Sequence, residues 1–302
     1  MASEVLIGAG GWQYFIVPEA DRLKAYSRVF DFVEVNSSFY RLVPLKQAAY
    51  WRSRVPDEFV FTVKCHRAVT HIHRLRPSEP AVQAFEHCVK ICRVLRAPII
   101  VLETPATLSV DGRLLRSFFS TVKLDGIKAG LELRGWAGRD VFEAMNDLGI
   151  VHVTDFSKEM PRVHDGEIAY SRLFGRGVHN IYMFDDDELV EISGKADGVG
   201  SEKVLLSFHG LRMYVDATRL KVFRKTGKMP SVTGKAGAES FREVMADALF
   251  PAAKEELLTK HGWKLFDIEA GRRARVADLL RKIPDRTYVN VDDLWADVVQ
   301  VV

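Results

Sequence analysis

The stretch Phe32-Val33-Glu34-Val35-Asn36, residues 32–36, is a short β-branched run carrying polar groups at alternate positions, and the chain repeats that design. Comparable runs are Val5 to Ala9, Phe59 to Lys64, Ile99 to Glu103, Ala129 to Leu133, Ile150 to Thr154, Ile168 to Arg172 and Val204 to Phe208. Runs of this length, rich in Val, Ile and Phe, read as strands. Helix-like segments lie between them: Pro18 to Phe30, Leu45 to Ser53, Ser78 to Leu95, Gly112 to Thr121 and Asp140 to Leu148. Several open on Pro, Ser or Asp, as helix starts prefer. Eight strand–helix units predict an α/β fold, a (β/α)8 TIM-like barrel with a small C-terminal helical domain. The rival, a doubly wound open sheet, would place a Gly-rich phosphate loop after the first strand. Gly8-Ala9-Gly10-Gly11 is instead followed at once by the bulky Trp12 and Tyr14.

The expected division is a barrel domain over 1–226, a linker over 227–238 and a small helical domain over 239–302. A basic stretch, Arg219, Lys221, Arg224, Lys225 and Lys228, runs into Pro230, Ser231, Gly234 and Gly237 and reads as a linker or exposed loop. Beyond it, Glu239 to Leu249, Pro251 to His261, Arg272 to Lys282 and Val291 to Val299 read as helices.

Lys and Arg total 43 against 40 Asp and Glu, a net charge of +3, so no overall cationic field points to nucleic acid. Residues 227–302 balance at 12 of each sign, which excludes a basic tail. The three cysteines suit reduced thiols in a cytoplasmic protein, with Cys88 and Cys92 sharing a helix face as packing residues. No apolar run approaches the ~20 residues of a membrane span, and the first ten residues lack a signal-peptide pattern. The expectation is a soluble cytoplasmic protein with no membrane partner.

In such a barrel the C-terminal strand ends surround the mouth where sites are built. Here they carry Glu34 and Asn36, Lys64 and His66, Glu103, Glu132 and Arg134, Asp155, Arg172, and His209. Singly, each has a bland role as an ion pair, a cap or a strut. Together they favour a functional mouth, because buried ions must be paired or solvated and a purely structural core can use apolar layers. Lys64, Arg134 and Arg172 suit an anionic group such as phosphate or carboxylate. Glu34, Lys64, His71, Glu132 and Asp155 are the candidate catalytic groups. Asn36, His66, Arg134, Arg172 and His209, with the aromatic Trp12, Tyr14 and Tyr40, are the candidate substrate contacts, the rings serving for stacking or for loop packing. A divalent metal has candidate ligands in Glu103, Glu132, Asp155 and His209, without any fixed ligand spacing, and the cofactor is otherwise open.

These residues, in this order, resemble the YecE-like family of barrels, a domain of unknown function. The matching pieces are Gly8 to Tyr14, Tyr26 with Phe30, Val33 to Tyr40, Trp51, Pro56, Phe59 to Lys64, Thr70-His71, Glu132-Leu133-Arg134 and Tyr170-Ser171-Arg172. The resemblance implies a TIM barrel whose polar pocket is similar in general shape to those of sugar isomerases and of endonuclease IV-type enzymes. Glu103-Thr104-Pro105, Phe174-Gly175 and Phe208-His209-Gly210 depart from the family pattern, whereas Glu34, Asn36, Lys64, His71, Glu132 and Arg172 stand on matched positions. The tail, with Phe250 to Leu258, Ile283 to Tyr288 and Val291 to Leu294, also resembles a small helical module of unknown function. It serves as a cap over one barrel face or as a recognition module for a partner protein or nucleic acid.

The leading expectation is a hydrolase or lyase acting on a phosphorylated small molecule or on nucleic acid, endonuclease-like, with phosphate bound by the cations. The alternatives are a sugar or sugar-phosphate isomerase or epimerase, and a non-catalytic DNA- or protein-binding module.

Overall fold

The computed structural model describes residues 3–18, 21–163, 165–178 and 180–302. The expected strands form: β1 (Glu4–Ala9), β2 (Phe32–Val35), β3 (Val60–Lys64), β4 (Ile99–Glu103), β5 (Lys128–Glu132), β6 (Val151–Val153), β7 (Ile168–Leu173) and β8 (Lys203–Phe208). They make one eight-stranded sheet, in the order β6-β5-β4-β3-β2-β1-β8-β7, with every pairing parallel. Its two edges meet at a single parallel bridge between Thr154 and Ser171, where the Arg172 amide donates to the Thr154 carbonyl at 3.0 Å. The sheet is thus a nearly closed barrel, seamed by the shortest strand.

Parallel pairing demands crossovers, and all but the β6–β7 connection, which holds no helix among the described residues, are helical. They include α1 (Arg22–Ser27), α2 (Ser37–Tyr40), α3 (Leu45–Ser53), α4 (Glu79–Leu95), α5 (Gly112–Phe119), α6 (Arg139–Asp147) and α7 (Asp186–Gly198), and α8 (Met213–Thr226) follows β8. Asp21 and Asp111 accept the amides of Lys24 and Leu114, at 3.1 and 2.7 Å, and so cap α1 and α5. In α4 the residues Ala81, Ala84, Phe85, Cys88, Val89, Ile91, Cys92 and Leu95 form one buried stripe. Cys88 and Cys92 are therefore packing residues, and all three thiols are free and buried.

Successive strand residues alternate between the barrel interior and the layer outside it. Phe32, Ile99, Val101, Val151, Val153, Ile168, Tyr170 and Leu205 make one buried interior cluster. Two glycines give it room. A Cβ on Gly8 would stand 2.8 Å from the Phe32 ring, and one on Gly130 would stand 2.8 Å from a Val153 methyl.

By spatial contact the chain divides into two compact units, Met1–Leu173 with Ile192–His209, and Phe174–Glu191 with Gly210–Val302. The second contains α8, so the stretch from Arg219 is not the expected exposed loop. It begins within a helix, and Arg219 itself is buried. Its guanidinium donates to the Phe184 carbonyl at 2.6 Å, to Asp216 at 3.2 Å and to Asp186 at 2.5 Å. Burial pushes the Asp216 carboxyl up to about 7, with Arg219 opposing. A cation embedded among acids had the sequence appearance of a solvated basic run. The rest of this unit holds α9 (Gly237–Val244), α10 (Lys254–His261), α11 (Val276–Leu280) and α12 (Val291–Val298) around Phe241, Phe266, Val276, Leu280 and Leu294. It also has two antiparallel ladders, β9 (Ala252–Ala253) with β12 (Thr287–Tyr288) and β10 (Leu265–Glu269) with β11 (Arg272–Arg275). The expected helix from Arg272 therefore starts as a strand, because Gly271, at φ +80°, turns the chain back onto β10. Residues between α8 and α9 are tied down: the Ser231 hydroxyl and the amides of Val232 and Thr233 all donate to the buried Asp267 carboxylate.

Tyr26 is fully buried, and its hydroxyl accepts the Ala9 amide at 2.7 Å while donating to the Phe32 carbonyl at 2.9 Å. It fastens α1 across β1 and β2. Tyr26→Phe leaves both main-chain groups without that partner and is expected to lower stability by about 1–3 kcal/mol, read from urea unfolding.

Candidate active site

The interior alternation continues upward from the apolar cluster and turns ionic at the C-terminal ends of the strands. Two residues above Phe32 stands Glu34; above Thr62, Lys64; above Val101, Glu103; above Gly130, Glu132; above Tyr170, Arg172. Period two fixes their common face, so strand register alone brings five charged side chains from five strands to one level.

Arg172 is the hub. Its Nε and Nη2 donate to the two oxygens of Glu34, both at 3.1 Å, and Nη1 donates to Glu103 at 2.6 Å and to Glu132. Glu103 is shared by three cations: Lys64 at 2.8 Å, Arg134 at 3.1 Å and Arg172. Arg134 also donates through Nε to Glu132 at 2.7 Å. Tyr170 donates to Glu34 at 2.9 Å and meets the Thr62 hydroxyl at 2.9 Å. His209 lies with its Nε2 3.7 Å from Glu34 and 3.1 Å from the Ser207 hydroxyl. In this cluster three carboxylates, Glu34, Glu103 and Glu132, meet three cations, Lys64, Arg134 and Arg172, so the formal charge sums to zero.

The electrostatics follow from that packing. Burial pushes the Glu103 carboxyl up, but Arg172, Lys64 and Arg134 together overrule it and hold the group down at about 2. Burial opposes the charge on Arg172, yet the three carboxylates raise its pKa well above an ordinary arginine's. His209 is driven well below the usual histidine range by burial and then by Arg172 and Lys64, which makes it neutral. Lys64 is lowered by burial and by Arg172, with Glu103 and Glu34 opposing. His71 is lowered by burial, against Glu103.

Depth separates the expected site residues. The Glu34 and Arg172 side chains are 0% and 2% exposed, whereas Glu132 and Arg134 are 13% and 38% exposed. Lys64 Nζ stands 4.1 Å over the centre of the Phe39 ring, and the His71 ring meets the same phenyl edge-on at 5.0 Å. Asn36 donates to the Gly10 carbonyl at 2.6 Å and ties the mouth between β1 and β2. Asp155 accepts from the Ser157 amide and hydroxyl at 3.0 and 2.6 Å and pairs with Lys158 at 3.4 Å. His66 accepts the Ala68 amide at 3.2 Å, as a turn cap. Trp12 packs edge-on against Trp51 at 5.2 Å, while Tyr14 and Tyr40 are exposed.

The sequence reading gave no role to Tyr170 or Thr62, although each lies one strand period below a charged residue already selected, Arg172 and Lys64. Phe39, one of the mouth aromatics read as stacking or loop packing, lies against Lys64 and His71. Among the described residues no group of three or more His, Cys, Asp or Glu side chains converges as metal ligands would. Glu103 and Glu132 are each already held by cations, which a divalent metal would have to displace.

A parallel eight-stranded barrel with its ionisable side chains gathered at the C-terminal strand ends defines a TIM-like barrel with an enzyme-like mouth. The chain belongs to the DUF72 family: the family described as "Protein of unknown function DUF72" matches residues 6–225. It is similar to a DUF72 family protein from Enterococcus faecalis V583, 14% identical over 74% of this chain and 98% of that one, with a TM-score of 0.58. A DUF72 family protein from Thermotoga maritima MSB8 is 18% identical over 74% and 99%, with a TM-score of 0.55. A D-tagatose 3-epimerase-like protein aligns at 18% identity over 68% and 92%, with a TM-score of 0.44, too loose a likeness to bear on function. A search of curated proteins finds no match.

Arg172→Met strips the cation from Glu34, Glu103 and Glu132 at once, and the expected loss is about 3–5 kcal/mol in urea unfolding. The same network makes the fold acid-sensitive. The Glu103 pKa lies below the ordinary 4.5, so its stabilisation is full above that pH and is lost as pH falls through about 2. His209, kept neutral when folded, favours the unfolded state as pH drops below 6.5. The urea midpoint should fall steadily from pH 6.5 downward, and Glu103→Gln should flatten the segment below 4.5.

Proposed function

We propose that the barrel mouth performs proton transfer on a small, uncharged carbonyl compound of the sugar class, as an isomerase or epimerase. The observation that carries this reading is the charge balance of the cluster. Lys64, Arg134 and Arg172 are each already engaged by internal carboxylates. A phosphodiester would have to compete with those carboxylates for its counter-charge, whereas nucleic-acid binding draws its affinity from surplus cations. The burial of Arg219 likewise takes a member of the basic stretch Arg219 to Lys228 away from any phosphate-binding surface.

Isomerisation of a hydroxycarbonyl compound asks for different equipment. One group takes a proton from the carbon beside the carbonyl, another polarises the carbonyl oxygen, and neutral hydroxyls need hydrogen-bonding partners. His71, depressed by burial and so neutral at pH 7, is the base in this reading. Lys64 faces the carbonyl. Glu132 and Arg134, the least buried members of the cluster, hold substrate hydroxyls. Glu34 and Arg172, sealed beneath them, serve as the rigid floor.

The test is deuterium exchange. Incubated in D2O with a panel of aldoses and ketoses, the protein is expected to wash deuterium into the carbon next to the carbonyl of at least one sugar, followed by proton NMR. His71→Asn and Glu132→Gln should each slow that exchange by about 100-fold or more. Absence of exchange across the panel, together with salt-sensitive DNA binding, would return the phosphodiester reading to first place.

A further inference from the structure

Lys64 is placed unlike any other lysine described in the chain. It is the last residue of β3, its side chain is 8% exposed, and its ammonium sits 2.8 Å from Glu103 and 4.1 Å over the Phe39 ring centre. The other buried lysine, Lys264, also pairs with a carboxylate, Asp247, and lies 5.9 Å from the Trp263 ring centre, but it donates in addition to the Val244 main-chain carbonyl at 2.7 Å and so holds backbone. Among the described residues the ammonium of Lys64 makes no such main-chain bond, and its carboxylate and aromatic partners are both at the mouth level. A desolvated lysine beside a second cation is the arrangement that frees an amine for nucleophilic attack near neutral pH. Burial and Arg172 press on Lys64 in that direction.

We propose that Lys64 is a covalent nucleophile that forms an imine with the carbonyl carbon of an aldose or ketose. This rests on the reading of the site as one for small carbonyl compounds. The ammonium first gives a proton to solvent. The Nζ lone pair then attacks the carbonyl carbon, forming the C–N bond while the π pair moves to oxygen, which takes up a proton. The resulting carbinolamine expels that oxygen as water and leaves C=N, so the amine and the carbonyl become an imine and one water with no change of oxidation state. When the imine nitrogen is protonated, Glu103 supplies its counter-charge, and the adjacent C–H becomes acidic enough for neutral His71 to take its proton, the C–H electron pair forming C=C as the C=N π pair moves to nitrogen, to give an enamine.

The full-length protein is incubated with dihydroxyacetone or D-glyceraldehyde and sodium borohydride, then weighed intact and mapped by tryptic mass spectrometry. The expected adduct adds the mass of the carbonyl compound less one oxygen, on Lys64 in preference to every other lysine. Lys64→Arg, which keeps the charge and the pairing with Glu103, should melt like the parent and lose that adduct. Labelling spread over surface lysines and unchanged in Lys64→Arg overturns the proposal. Deuterium exchange without a Lys64 adduct overturns the imine and leaves the isomerase reading standing. An adduct without exchange supports the imine and overturns the isomerase.

Discussion

One guanidinium organises the barrel mouth. Arg172, projecting from β7, is held by carboxylates from β2, β4 and β5, and it lies beside the seam where β6 and β7 join by a single bridge. A cation so buried survives only where anions and hydrogen bonds replace its hydration, and an anion so buried survives only beside such a cation. The requirement propagates outward. Glu34 takes both the Arg172 fork and the Tyr170 hydroxyl, and Glu103 draws in Lys64 and Arg134. Losing any one charge leaves others uncompensated, so the cluster behaves as a unit rather than as separable pairs.

That interdependence decides how the charges bear on function. Counted along the chain, Lys64, Arg134 and Arg172 are three cations ready for phosphate. Counted in space, they are three cations already answered by three carboxylates. Composition carries signs but not distances, which is why a phosphate reading was reasonable from sequence and loses ground once the pairings are known. Arg219 repeats the point in the second unit, where a basic run conceals an arginine sunk between Asp186 and Asp216.

The barrel was legible because its signal is periodic and local. Eight β-branched runs, most of them followed by an amphipathic or capped segment, leave few arrangements other than parallel strands with mostly helical crossovers. Most of the charged mouth was legible for the same reason, since period two assigns Glu34, Lys64, Glu132 and Arg172 to the interior without any knowledge of contacts. Asp155 lies beyond the end of β6 at Val153, so its bonds to Ser157 could not be read from strand alternation. The hairpin of β10 and β11 stayed hidden because Arg272 to Arg275 has no apolar alternation, and its strand character comes from pairing across Gly271.

Depth along a strand then separates scaffold from chemistry. At the tops of β7 and β5 the residue one period lower is the more enclosed. Tyr170 lies below Arg172 in a continuous wall, and Glu132 lies below Arg134, whose guanidinium reaches solvent. A group enclosed on all sides can fix geometry and field but cannot meet a substrate. A group one period higher keeps its ion pair and still presents donors to the mouth. By that criterion Glu34 and Arg172 are the foundation, whatever their charge suggests. In the proposed isomerase the reacting surface is Lys64, His71, Glu132 and Arg134, held in place by their ion pairs and contacts with that enclosed pair's cluster.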